Sequence, residues 1–314
     1  MDVKNQPRLK IKREDNSLMN KPTTRRICFH TVEPFLYIMP AIVLIGIVFF
    51  IPIIELFRIS LFNAHTVAGI REFVGLKNYA NLFNVQFLAT LWRTVVYVVG
   101  AIPIAVIFGL FGAILLNQNI PGKRFLWLLA FIPWIIPHSI SAILWRWLIH
   151  SEYGLLNHIL ILTGILKEPI NFLSTDLAMF SNIVLRIWKA SPFAIITFLA
   201  GLQAIPVELY EAASVDGAKP WQSFIFITVP SLRKIIMTTS ILLGIWGFVT
   251  FDLIWVLTQG GPISATETIP IAIYKQAFKF YNAGLASAIG VISLIITLGA
   301  SITYFKMIER KDNP

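Results

Sequence analysis

Two groups of residues in this sequence have the types and spacing to do chemistry. The first is the run Glu211-Ala212-Ala213-Ser214-Val215-Asp216-Gly217-Ala218. Ala212, Ala213, Gly217 and Ala218 make a surface almost without knobs, which can enter a groove on another protein. Glu211 places a single carboxylate beside it, able to pair with an arginine or lysine at modest, salt-sensitive gain. The competing assignment is a loop whose small residues pack on the protein's own helices. The second group is Arg186 and Lys189, three apart and therefore on one helical face. They lie inside a long apolar run, where a charge at the bilayer centre costs on the order of 3 kcal/mol even on mild insertion scales. Such a pair faces a watery cavity or a charged partner, or else snorkels to the outer headgroups. Asp252 is a candidate counter-charge for the first alternative.

Other chemistries are missing. Gly122-Lys123-Arg124 resembles the end of a nucleotide-binding loop, but Asn117 stands where the first glycine is required and Arg124 replaces Ser/Thr. The chain by itself is therefore not expected to hydrolyse ATP. The five histidines show no i,i+4 metal pairing with a carboxylate, so no metal site is expected. No Gly-x-Ser-x-Gly elbow is present, and no catalytic residue is assigned. The single cysteine, Cys28, makes neither an internal disulfide nor a zinc cluster. An enzyme is disfavoured, and so is a proton-driven pump, because no chain of buried carboxylates is evident.

The elements that must position these residues are membrane helices. Of 314 residues 56% are hydrophobic and 13% charged, against about 25% charged in soluble domains, so a lipid bilayer is the expected surroundings. The net charge is +10, and a basic tail, residues 1–33, holds Lys4, Arg8, Lys10, Lys12, Arg13, Lys21, Arg25 and Arg26. Without an aromatic-plus-basic stripe this is no nucleic-acid footprint; it fits a cytoplasmic terminus under the positive-inside rule. The tail and the first apolar run are too long for a cleaved signal peptide.

Runs of about 20 apolar residues recur six times: about Phe35–Phe57, Val95–Leu116, Phe125–Ile149, Leu177–Leu202, Ile235–Leu257 and Gly284–Ile308. The expected fold is an all-α membrane protein, six transmembrane helices occupying 34–314. The connections after runs two and four carry Lys123, Arg124, Lys219, Arg233 and Lys234, and the C-terminus carries Lys306, Arg310 and Lys311. Both termini are therefore expected in the cytoplasm. Ala101, Ala105, Gly109 and Ala113 place one small residue per turn on one face of the second run, for close helix packing. Pro103, Pro133, Pro137, Pro192 and Pro270 are expected to kink the helices they touch. The polar segment at about 203–234 reads as a cytoplasmic helix-turn-helix. Pro206 starts the first helix, Asp216-Gly217 turns the chain, Pro220 starts the second, and Pro230 is expected to end it.

The spacing Glu211-Ala212-Ala213, Gly217, Ile227, Pro230 resembles the signature loop of ATP-binding-cassette (ABC) importer permeases; Val229 replaces the usual Leu. Phe-Val-Gly-Leu-Lys-Asn-Tyr at 73–79 and Leu-Thr-Gln-Gly-Gly-Pro at 257–262 with Thr-Glu-Thr at 266–268 look like segments of carbohydrate-uptake permeases. Ala286, Ser287 and Ala288 fit the family's small-residue start of the last span. The resemblance runs from about residue 30 to the C-terminus and is greatest to the larger membrane subunit of maltose-type transporters, without that subunit's extra spans and large external domain.

The resemblance implies a sugar importer, for di- or oligosaccharides, in a bacterial plasma (inner) membrane. A second permease subunit completes the pore, two cytoplasmic ATPase subunits use ATP and Mg, and an extracellular or periplasmic sugar-binding protein delivers the solute. Residues 208–218 become a coupling helix, with Glu211, Ala212, Ala213, Asp216, Gly217 and Ala218 at the ATPase contact. Outward alignment from that loop gives a substrate pathway at Ala190, Phe193, Leu243, Trp246, Gly247 and Thr250. Gly247 and Thr250 stand where the relative has two key asparagines, so its hydrogen-bonding set is not retained. Trp246 can stack on a sugar's apolar face, and Trp188 and Lys189 are adjacent candidates; bundle packing is the alternative for all of them. Lys189 or Arg186 would favour an acidic sugar. Within transport the alternatives are a permease for another solute, such as a glycerol phosphate or a peptide; a stand-alone carrier is the alternative from another class.

Overall fold

A computed structural model describes residues 33–309, with side chains described over 37–306. Most of the basic tail, Cys28, Arg310 and Lys311 lie outside the described residues. The chain divides into a unit ending at Ile53 and a unit beginning at Ile54.

The apolar runs become helices of membrane length. They are α1 (Tyr37–Ser60), α3 (Val85–Asn117), α7 (Ala178–Gln203), α9 (Pro220–Phe248) and α12 (Ala283–Lys306). The third expected span is not one helix. It is broken into α4 (Lys123–Ile135) and α5 (His138–Leu148), bent by 105°. The cause is local. Pro137 has no N–H to return to the carbonyl of Pro133, and its ring disfavours helical geometry at Ile136, which is extended at ψ 131°. Counting the bent pair as one crossing gives six among the described residues. Shorter elements join them: strands β1 (Phe62–His65) and β2 (Gly69–Phe73), and helices α2 (Lys77–Leu82), α6 (Leu155–Leu162), α8 (Val207–Val215), α10 (Asp252–Thr258) and α11 (Ile269–Tyr274).

Two expectations about the fifth crossing are corrected. Pro230 does not end a helix. The helix that begins at Pro220 passes through Pro230 to Phe248, with a π-helical turn at Phe224–Thr228 just before it. A π turn supplies the slack that lets proline, which lacks its own N–H, sit early in a continuing helix. The crossing also stops at Phe248, not Leu257; residues 249–251 break the chain before α10.

The core lies between α3 and α7. Ala101, Ala105 and Ala113 are fully buried there with Ala190, Ala194 and Phe198. Gly109 allows the closest approach: a Cβ added to it would stand 2.3 Å from the Ala194 Cβ. In lipid, apolar surface gains nothing by leaving its surroundings, so helices associate through backbone closeness of this kind. The small-residue stripe of α3 is thus used inside the chain.

The segments at 73–79 and 284 form a clamp at the end of α1. Asn78 Nδ2 donates to the carbonyls of Ser60 and Phe62 at 2.8 and 2.9 Å, and the Tyr79 hydroxyl lies 2.6 Å from Ser60 Oγ. Gly284 packs against this turn with no room for a side chain, since a Cβ there would meet Phe62 O at 2.3 Å. The β1–β2 hairpin pairs Phe62 with Phe73 and His65 with Gly69.

Candidate functional site

The loop singled out from the sequence folds as two short arms around a turn. The first arm is α8. Its end is closed by Gly217 N–H to Ser214 O at 3.1 Å and Ala218 N–H to Ala213 O at 2.9 Å. This is the double closure of a Schellman cap, and it requires a left-handed residue, supplied by Gly217 at φ +77°. Lys219 N–H then donates to the Gln222 side chain at 2.7 Å, starting α9. The Tyr210 hydroxyl meets Thr228 Oγ1 at 2.9 Å and ties α8 to α9.

Glu211, Ala212, Asp216 and Gly217 are exposed, while Ala213 and Ala218 are half-buried. Nothing lies within 4 Å of a Cβ built on Gly217. Val207, Leu209, Val215 and Trp221 of the same segment are also exposed, Val215 by 88%. So much apolar surface beside a smooth small-residue face is the usual mark of an interaction site.

A second site lies within the bundle. A cavity of about 500 Å³ is lined by Trp134, Ile136, Pro137 and His138 at the α4–α5 break, Arg186, Lys189 and Ala190 of α7, Leu243 and Trp246 of α9, and Asp252. Of the residues expected on a substrate pathway, Lys189, Ala190, Leu243 and Trp246 meet here. Phe193 stands behind them, with ring centroids 4.9 Å from Trp246 and 5.4 Å from Trp134. Trp134 and Trp246, 6.2 Å apart, make an aromatic wall.

The remaining three expected residues are elsewhere. Trp188 lines a separate, apolar cavity with Phe108, Phe111, Pro133 and Trp145. Gly247 sits beneath the Arg186 side chain, where an added Cβ would lie 3.9 Å from Nε. Thr250 donates from Oγ1 to Trp246 O at 2.6 Å and is buried at the end of α9. Trp134 and His138 were missed. The signal for them was Pro137 after Pro133: a break there turns neighbouring side chains away from a uniform helix surface.

The two cations of α7 do different things. Lys189 Nζ donates to the carbonyls of Pro133 and Ile136. These are acceptors at the C-terminal end of α4, and the first is orphaned because Pro137 has no N–H. A lysine at such an end also meets the negative pole of the helix dipole. Lys189 therefore caps a broken helix. Arg186 is 4% exposed, and its one hydrogen bond is from Nη2 to Leu243 O, at 3.3 Å. Its Nε is buried without a partner. Being buried, Arg186 does not reach the surface to snorkel, and Asp252 is not within ion-pair contact of it. Asp252 pairs instead with His138 Nδ1 at 3.0 Å. Asp252 lies beyond the end of the fifth crossing, and this hydrogen bond holds its carboxyl below the ordinary carboxylate range.

The segment 257–268 is structural in this chain. Thr258 and Thr266 hydroxyls meet at 2.7 Å, Thr266 Oγ1 donates to Gly261 O at 2.8 Å, and buried Glu267 pairs with Lys275.

Residues 79–310 match the family model of the binding-protein-dependent transport system inner membrane component. The chain belongs to this family. It is an inner-membrane permease component, and a catalytic role is not part of that assignment. It is 36% identical over 278 residues to the trehalose/maltose transport system permease protein MalF of Thermococcus litoralis, covering 87% of this chain and 92% of the relative. It is 34% identical over 279 residues to the sulfoquinovosyl glycerol transport system permease protein SmoG of Agrobacterium fabrum, covering 88% and 90%. In fold it matches a chain of the bacterial alginate ABC transporter in complex with alginate pentasaccharide-bound periplasmic protein, at TM-score 0.78 and 22% identity, over 91% of this chain and 98% of that one.

Proposed function

We propose that this permease forms half of the pore of an ABC importer for a di- or oligosaccharide. A second permease completes the pore, two cytoplasmic ATPase subunits dock on the α8 turns, and an external binding protein delivers the sugar. N- and C-termini lie in the cytoplasm, on the side of the α8 turn.

One observation carries the coupling: the helix that starts directly after the Glu211–Gly217 turn also lines the cavity. The 29-residue α9 starts at the turn and supplies Leu243 and Trp246 to the cavity wall. At 1.5 Å rise per residue, the 26 steps from Pro220 to Trp246 span about 39 Å. A rigid-body push on the turn by closing ATPases is thereby delivered to the solute site, as alternating access between two states requires. Glu211 and the small face of α8 provide the contact, and ATP with Mg stays on the partner.

The sugar reading rests on the wall of the cavity. Trp134 and Trp246 offer faces for pyranose stacking, and Arg186, His138 and Asp252 offer hydrogen bonds. The relatives named for trehalose/maltose and for sulfoquinovosyl glycerol support it.

Affinity purification of the tagged chain from its own cells, followed by reconstitution, tests the assembly. A second permease and an ATPase should co-purify, and uptake into liposomes should require ATP and the binding protein. Transport by this chain alone would replace the reading with a stand-alone carrier.

A further inference from the structure

Arg186 is a buried cation with no carboxylate in ion-pair contact. Among the described residues no carboxylate lies within 4.0 Å of it. Asp252, which lines the same cavity, is held by His138. Lys189 is satisfied by two carbonyls of the broken helix. A guanidinium has five N–H donors, and here one of them has an acceptor, at 3.3 Å. A charge that is 96% removed from solvent and unpaired is costly to keep, and a fold keeps one where something else completes it.

The cavity shows what that is. Its fixed charges are two cations, Arg186 and Lys189, against one anion, Asp252, leaving a positive site. Beside the guanidinium stands the Trp134–Trp246 wall, suited to a sugar ring. Gly247 sets no side chain against Nε, since a Cβ there would lie 3.9 Å from it.

We infer that Arg186 seats an anionic substituent of the transported carbohydrate, a carboxylate, sulfonate or phosphate held by the planar guanidinium while the ring lies on the tryptophans. This rests on the cavity being the carbohydrate site. It narrows the sequence-based expectation that Lys189 or Arg186 would favour an acidic sugar to Arg186: Lys189 holds the α4–α5 bend, and Arg186 is the residue with donors to spare. Bidentate pairing with a planar carboxylate or a tetrahedral oxyanion is what a guanidinium does better than an ammonium.

The test uses the purified assembly of permeases and ATPases without its binding protein, so that selection by the binding protein does not enter. The probes are a glucuronosyl-glucose disaccharide and its carboxyl-reduced neutral counterpart, and the readout is equilibrium binding by dialysis. The acid should bind the wild-type assembly about tenfold or more tightly than the neutral form, the ratio expected for one charge-assisted contact. Arg186→Gln should bring the two probes to about the same affinity, and Arg186→Lys should keep part of the preference. Equal affinity of the two probes for the wild type overturns the inference while leaving the site in place. Binding of neither probe removes the site and the inference together. The wild-type comparison decides the matter even where Arg186→Gln fails to assemble.

Discussion

Gly109→Ala adds one methyl group at the closest point of the α3–α7 interface. The new Cβ would stand 2.3 Å from the Ala194 Cβ, and 3.1 and 3.2 Å from its backbone C and Cα. Ordinary contact begins near 3.4 Å, so the helices must part by 1.1 Å or more, the difference of 3.4 and 2.3. No flexible side chain can yield, because the opposing atoms belong to an alanine and to backbone. Overpacking by a methyl costs about 1–3 kcal/mol, and the rigid neighbours put this case near ~3 kcal/mol. That corresponds to a fall in Tm of roughly 6–12 °C, at about 2–4 °C per kcal/mol. Function should fall too, since Ala190, on the cavity wall, is one helical turn from Ala194. The control is Gly299→Ala in α12, where nothing lies within 4 Å of the new Cβ. It should be neutral or stabilising by up to ~1 kcal/mol through helix propensity. Thermal unfolding of the detergent-solubilised assemblies, read by the loss of the size-exclusion peak on heating, compares the two. If Gly109→Ala melts with Gly299→Ala, the close-packed α3–α7 core is wrong.

Thr94→Val removes the buried hydroxyl that accepts from Ile269 N–H at 3.0 Å, leaving that donor unpaired, so the same melting assay should show a loss of about 1–3 kcal/mol. Lys189→Met strips the cap from the α4–α5 break; the variant should be destabilised and should lose uptake of neutral and acidic sugars alike, and a selective loss of acidic sugars would reassign Lys189 as a ligand. Gly217→Val demands φ +77° of a β-branched residue, a backbone cost of roughly 1–2 kcal/mol without any clash, so the permease should still insert while ATP-driven uptake is lost. Normal uptake by that variant would count against the turn as a contact surface.

Much of the fold is legible in the sequence because the bilayer imposes its thickness on it. Five long apolar runs became helices of membrane length, with ends displaced where polar residues occur inside helices: α3 starts at Val85, ahead of Arg93, ten residues before the expected start. The loop 206–220 was legible because Pro206, Gly217 and Pro220 each act through local backbone chemistry. What was not legible depends on neighbours far away in sequence. The full break at Pro137 is completed by Lys189, which supplies donors to the freed carbonyls. Pro230 looked like a stop because its effect is usually read locally, whereas a π turn absorbs it. Arg186 and Lys189 looked alike in sequence, and their roles separate only once the acceptors of α4 and the bond from His138 to Asp252 are in place. The hairpin at 62–73 offers only the four-residue alternation of Phe62–His65, and its second strand is exposed throughout, which is too little to read.

On the proposed mechanism, energy enters at the Glu211–Gly217 turn and reaches the cavity through α9. The most direct measurement is binding-protein-dependent, ATP-driven sugar uptake by the reconstituted assembly carrying Glu211→Lys, set beside the ATPase activity of the same vesicles. The permease should insert and pair, uptake should fall to background, and ATP hydrolysis should no longer respond to the loaded binding protein. Uptake and stimulation at the wild-type level would contradict this mechanism.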